Sequence, residues 1–439
     1  MVPVSTVAAT IALGGCRTDT LEVTNPDVIG VGAATSAAGA TALRNGAIQD
    51  FAIVFSGTQD GVIVSSGNLA DEIMATDTFF DRLLPNERSM NPNLGGATDV
   101  LYLNLQLARS GAGNAITAWA KVKPASKDSL SELYSIRGYA EGFFGEIYCA
   151  GVPFSSESDA GTVYGQPQTT QEIFQRALAS FDTALTNATS NNNKYLAQIG
   201  RARALLNLGQ FANAATAVAG VPTTFKYQTY HSSATTRQYN GVWNGTTVPS
   251  SRYTVSNNEG TNGYNYLQTP NDPRMPWAPS TRVGFDGTTR NLPTQLKYPN
   301  NSSPATVADG IEARLIELEA RLQGGTQADR DAVFAGLNSL RATAITPAMP
   351  ALAGSAPTTQ AAAVDQLFRE RAAWLWLTGH RLGDMRRLIR QYGRDANTVF
   401  PVGPVSTRFG STYGSDVNFP VPFDETNNPN FSGCIDRKA

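Results

Sequence analysis

The stretch from Phe368 to Arg394, FRERAAWLWLTGHRLGDMRRLIRQYGR, decides how this chain is read. It reads as an apolar helix broken at Gly379 and followed by a strongly basic second segment. Val364, Leu367, Phe368, Arg371, Trp374, Leu375 and Thr378 recur at helical spacing along one side, so a neighbouring helical layer must cover that side. Glu370, Arg371, Arg381, Asp384 and Arg387 then lie beside two tryptophans. A buried charge without a partner is very costly, so these charges are expected to form a structural ion-pair network rather than catalytic machinery.

The order and spacing of Glu370, Arg371, Leu375, Gly379, Arg381, Asp384, Arg386 and Arg387 resemble the C-terminal signature of the SusD/RagB family, the nutrient-binding lipoproteins of bacterial outer membranes. The family's proline-rich close is matched by Phe419-Pro420-Val421-Pro422-Phe423-Asp424-Glu425 and then Asn428-Pro429. Two of the family's glutamates are replaced by Trp374 and Thr378, which changes the buried charge balance of the helix and keeps its packing role.

Working outward, helical stretches are expected at about 37–55, 97–121 and 130–148, where Leu130, Leu133, Arg137, Ala140, Phe144 and Ile147 trace one face. That last helix stops at Gly151-Val152-Pro153, a Gly-then-Pro terminus. Further pairs are expected at 171–187 with 194–208 and at 309–323 with 327–343, with Gly324-Gly325 as a turn. Gly209, Phe211 and Ala214 match the turn and second helix of a tetratricopeptide repeat, in which the small residues admit close helix approach. Glu312, Glu317, Glu319 and Arg321 resemble a repeat helix of the same family. Arrays of such pairs usually serve binding.

Residues 223–308 differ sharply, being rich in Asn, Thr, Gly, Ser and Pro, with no helical period. A structureless loop of that length is improbable, so short strands or an ordered excursion are expected across the helices. Most of the notable aromatics lie here. A sugar offers a flat C–H face to an aromatic ring and a rim of hydroxyls to amides and carboxylates, each ring contact being worth about 1 kcal/mol. The expected ligand-binding residues are Tyr239, Trp243, Tyr264, Tyr266 and Trp277, the last preceded by Asp272 and Arg274. The bland alternative is that these rings form the insertion's own small core. Asp71 and Glu72 are adjacent carboxylates, but neighbours on one segment rarely face each other across a scissile bond. No phosphate-binding glycine loop, H-E-x-x-H or G-x-S-x-G occurs.

Composition narrows the partners. With 34 basic against 36 acidic residues the net charge is -2, which argues against nucleic acid or an anionic membrane surface. Charged residues are only 16% of the chain, against an average near ~25%. Val7–Leu13 is an apolar run too short to span a bilayer but suited to a signal peptide, and Leu13-Gly14-Gly15-Cys16 resembles a bacterial lipobox whose cysteine takes lipid. No Lys or Arg precedes Arg17, so a start codon assigned too late, or a segment that is not a signal, stands as the alternative. Setting Cys16 aside leaves Cys149 and Cys434, either bridged or two free thiols. His231 and His380 are the only histidines and no C-x-x-C occurs, so neither a metal nor a cofactor is expected.

The resemblance implies a mainly α fold of tetratricopeptide-like helix pairs in a curved array, with a large irregular insertion and few short strands. The expected layout is a signal segment at 1–16 and one domain at 17–439, with helical repeats at about 97–222 and 309–394, the insertion at about 223–308 and a tail at 395–439. It implies a lipoprotein at the cell outer membrane, exposed on the surface. Such a protein, without catalysis, would bind oligosaccharide or peptide nutrients for a SusC-like TonB-dependent transporter. The alternatives are a scaffold binding only protein partners, or a glycan hydrolase using Asp71 or Glu72.

Overall fold

Paired helices occupy about half of the chain, and several of them start at side-chain caps readable in the sequence. The structure, a computed structural model, describes residues 35–158, 161–247, 250–406 and 410–439; Cys16 and the expected signal segment lie outside them. The main helices are α1 (Ala37–Ala52), α2 (Val62–Leu69), α3 (Ala97–Val122), α4 (Lys127–Ile147), α5 (Thr170–Asn187), α6 (Asn191–Asn207), α7 (Phe211–Val218), α8 (Gly310–Leu322), α9 (Gln327–Thr343), α10 (Gln360–Trp374) and α11 (Arg381–Tyr392). Thr169 and Glu172 close a capping box on α5, as Thr326 and Asp329 do on α9, while Asp309 and Thr359 cap α8 and α10. Helices adjacent in sequence pack on one another from α3 through α7, and α8 packs on both α7 and α9.

Close approach within the array depends on glycines other than the expected one. A Cβ at Gly200 of α6 would stand 2.2 Å from the Phe181 ring of α5, and one at Gly145 of α4 would stand 2.8 Å from the Phe174 ring. Gly209, by contrast, has open space where its Cβ would be. It is needed for its φ of +72° at the end of α6, so the close-approach role expected of it is corrected to that of a helix terminator.

The stretch 368–394 folds as expected on its apolar side, with Val364, Leu367, Phe368, Trp374 and Leu375 all buried. The helix ends earlier than Gly379: α10 stops at Trp374, and Leu377 and Gly379, with φ of 52° and 72°, turn the chain into α11. This turn is clasped by other parts of the chain. The Leu377 N–H donates to Glu72 (2.8 Å), the Tyr298 hydroxyl donates to the Leu377 carbonyl (2.7 Å), and the Lys297 ammonium donates to the Trp376 carbonyl.

The expected ion-pair network is present. Arg371 grips Asp384 through two bonds of 2.8 and 2.9 Å, Arg387 bridges Asp384 (2.7 Å) and Glu319 of α8, and all four side chains are buried. Beside it Arg203 holds Glu146 through two bonds of 2.7 and 2.6 Å, and His380 meets Glu312 at 3.0 Å. Thr378, at one departure from the family pattern, hydrogen-bonds His380 Nδ1 at 2.8 Å; Trp374, at the other, lies 5.1 Å from the Arg274 guanidinium. Cys149 at the end of α4 is bridged to Cys434, Cα atoms 5.9 Å apart, so the tail is tethered to the helices.

Between α7 and α8 the chain forms short two-stranded pairs rather than one sheet. Ile73–Ala75 (β1) pairs antiparallel with Tyr253–Val255 (β3), Ile73 opposite Val255; Lys226–Thr229 (β2) pairs with Ala305–Asp309 (β6); and Trp277–Ala278 (β4) pairs with Thr294–Gln295 (β5). A short helix at Gly241–Thr246 completes this excursion, capped by Asn240.

Candidate functional site

The β1–β3 pair sets the position of an aromatic surface. Beyond Ala75, the Thr76 N–H donates to the Arg252 carbonyl (2.8 Å), and the Phe285 and Asp286 N–H groups donate to Ser251 (2.9 Å) and Thr76 (3.0 Å). These bonds bring Phe79 and Phe285, about two hundred residues apart in the chain, to 6.2 Å between ring centres. Phe79 and Phe80, at the start of a short helix (Phe80–Asn86), and Phe285 are 50%, 55% and 43% exposed, three large rings left open to water.

The rings stand on anchored cations. The Arg252 guanidinium lies 3.8 Å from the Phe285 ring centre and 5.2 Å from that of Phe79, while Arg82 lies 5.7 Å from Phe79. Arg252 donates to Asp77 (2.7 Å), and Arg82 is held by Asp60 through bonds of 2.8 and 2.7 Å, so neither guanidinium is free to turn away. Burial is the largest single effect and lowers the Arg82 pKa, but the Asp60 hydrogen bond and the charges of Tyr253, Asp60 and Asp77 together raise it. The result is a rigid platform of apolar rings with fixed polar groups at its base.

Of the residues expected to bind ligand, Tyr264 and Trp277 come together through Gln268. The Gln268 side chain donates to the Tyr264 hydroxyl (3.3 Å), and the Trp277 indole N–H donates to the Gln268 carbonyl (3.4 Å). Both rings are half-buried. Tyr239 and Trp243 form a second pair, edge to face at 5.8 Å, also half-buried. Among the described residues no ring contact joins this pair to the first.

Tyr266 needs a correction. It is fully buried, stacked on Trp376 at 6.0 Å with its hydroxyl 3.4 Å from Asp71, so it is a core ring with no face open to the surface. The Tyr264 ring lies over it at 4.7 Å and is the one of the two that meets the surface. Arg274 is likewise spent, on Asp272 and on Glu370 (2.7 Å).

Asp71 and Glu72 are also interior. Asp71 binds Arg381 of α11 through bonds of 2.7 and 2.8 Å and accepts the Tyr264 N–H (2.9 Å), which ties the insertion to the helices. Burial pushes Glu72 up to about 8, against the lowering effect of the Leu377 N–H. Neither carboxylate reaches solvent, so the hydrolase arrangement considered for them has no substrate access. Sequence reasoning passed over Phe79 and Phe80; the signal for them was a pair of bulky apolar residues, Phe79-Phe80, flanked by Asp77 and Asp81 in a turn-rich segment.

No family model and no curated protein matches the chain. Solved structures do match it. A SusD superfamily protein from Bacteroides fragilis aligns with TM-score 0.66 at 13% identity, covering 91% of this chain and 99% of its own. One from Bacteroides thetaiotaomicron aligns with TM-score 0.65 at 15% identity, covering 90% and 99%. A SusD-like carbohydrate binding protein from Bacteroides vulgatus aligns with TM-score 0.57 at 14% identity, covering 79% and 82%. The chain therefore has the fold of the SusD superfamily. Among the described residues no helix is long and apolar enough to cross a membrane, and no cluster of His, Cys, Asp and Glu has the makings of a metal site.

Proposed function

We propose that this chain is a SusD-family lipoprotein that captures neutral oligosaccharides without catalysis, at the outer-membrane surface, for a TonB-dependent transporter. The observation that carries the reading is the platform of Phe79 and Phe285 held open to solvent on Arg252, on a fold shared with a carbohydrate binding protein. Stacking rings with fixed polar groups suit the apolar face and hydroxyl rim of a pyranose. Tyr264 with Trp277, and Tyr239 with Trp243, supply further ring faces along the same insertion. Lipid on Cys16 would hold the protein at the membrane without spanning it.

Capture on an array of neutral glycans tests the reading. Binding is expected to be micromolar or weaker, about −8 kcal/mol or less favourable, and little changed by salt because the ligand is uncharged. Retention of no neutral glycan, or release of cleaved products, would overturn it.

A further inference from the structure

A second site lies away from the aromatic platform. A cleft of about 780 Å³ opens between the first turn of α5, the C-terminal end of α6, the end of α11 and the C-terminal tail. That volume is in the range of small-molecule sites. Phe174, Leu208, Ile389 and Val417 give it an apolar wall, and Arg390 and Asn207 give it a polar end beside the N-terminus of α5.

The charge at this end is unbalanced. Arg390 Nη2 donates to Asn207 (2.9 Å) and its guanidinium lies 5.7 Å from the Phe174 ring centre, but its Nη1 is shut off from water with no hydrogen-bond partner. Behind it Arg386 is fully buried; its Nη1 donates to the Gly145 carbonyl (2.9 Å), while Nε and Nη2 have no partner. The carboxylate that both of them feel, Glu146, is already taken by both arms of Arg203 and by Asn207. At the rim, Asp436 and Lys438 oppose each other in sign, and Arg437 is paired with Asp416 at 2.7 Å. Burial, then Arg387, pushes Arg390 down to about 10; burial, then Arg390, pushes Arg386 down to about 9. A buried and a half-buried cation without a carboxylate of their own are costly beside an open cleft, and an anion there would supply what is missing.

We propose that this cleft binds an organic carboxylate with an apolar body. Its carboxylate sits at Arg390, and its body lies against Phe174, Leu208 and Ile389. Turning Arg390 toward the cleft exchanges its unmade hydrogen bond for a bidentate one to the ligand. This site does not depend on the glycan reading, since the two share no residue.

Calorimetric titration of the whole chain with octanoate, octanamide and inorganic phosphate tests the proposal. Octanoate should bind at least tenfold tighter than octanamide and tighter than phosphate. Arg390→Gln should abolish the preference for the acid, with the unfolding midpoint recorded alongside. Ala396→Trp, which fills the cleft and leaves Arg390 in place, should abolish octanoate binding even if the arginine variant fails to fold. Equal binding of acid and amide, phosphate as tight as octanoate, or octanoate binding untouched by Ala396→Trp would each overturn it.

Discussion

The helical array and the excursion between α7 and α8 use the same residue types in opposite ways. In the array, Arg371 and Arg387 are buried and spend their hydrogen bonds on Asp384 and Glu319, so charge locks helix to helix. Where the excursion meets the segment after α2, Arg252 and Arg82 are pinned by Asp77 and Asp60 so that phenyl rings can stay exposed above them. Buried ion pairs are costly to break, while exposed rings contribute little to folding. Stability and ligand capture should therefore separate by mutation.

The largest effect should come from the network. Glu319→Ala leaves Arg371 and Arg387 short of a buried partner, and urea unfolding should show a loss of about 3–5 kcal/mol. Gly200→Ala drives a Cβ into the Phe181 ring and should cost about 1–3 kcal/mol by the same measurement. Either change should leave the aromatic platform in place at temperatures where the protein is folded. A loss below about 1 kcal/mol for Glu319→Ala would mean the array does not depend on its charges.

A pH series sharpens the contrast at the seam between the regions. Glu72 holds its proton up to about 8 when folded but loses it near 4.5 when unfolded. Over that window the folded state binds the extra proton, so stability falls as pH rises, by up to about 1.4 kcal/mol per unit. Lys297, pushed down to about 8 by burial from an ordinary 10.5, acts the other way above pH 8, where only the unfolded state keeps its proton. Stability against denaturant should fall toward pH 8 and recover above it. Glu72→Gln should flatten the falling limb; an unchanged limb would remove Glu72 from the account.

Much of the array was legible because its helices carry a polar and an apolar side and several start at recognisable caps. The Phe368–Arg394 stretch also announced its own charge pairing. Helix α2 escaped because all of Val62–Leu69 is buried, which erases the alternation that marks a helix. The site was harder. Rings such as Tyr264 and Tyr266 look alike in sequence, and only the path of an irregular chain decides which of them faces water. Phe79 and Phe285 are joined by hydrogen bonds between distant backbone segments, for which no local pattern exists. The anchoring of Arg252 and Arg82 likewise depends on tertiary contacts with Asp77 and Asp60.

The smallest expected effect on folding is the most direct test of the central claim. Glycan affinity and unfolding free energy should be measured together for the native chain and for Phe79→Ala with Phe285→Ala. The account predicts affinity lower by about 2 kcal/mol, or roughly thirtyfold, from two lost ring contacts, with unfolding moved by less than about 1 kcal/mol because both rings are surface-exposed. Unchanged affinity, or unfolding weakened as much as by Glu319→Ala, would contradict it.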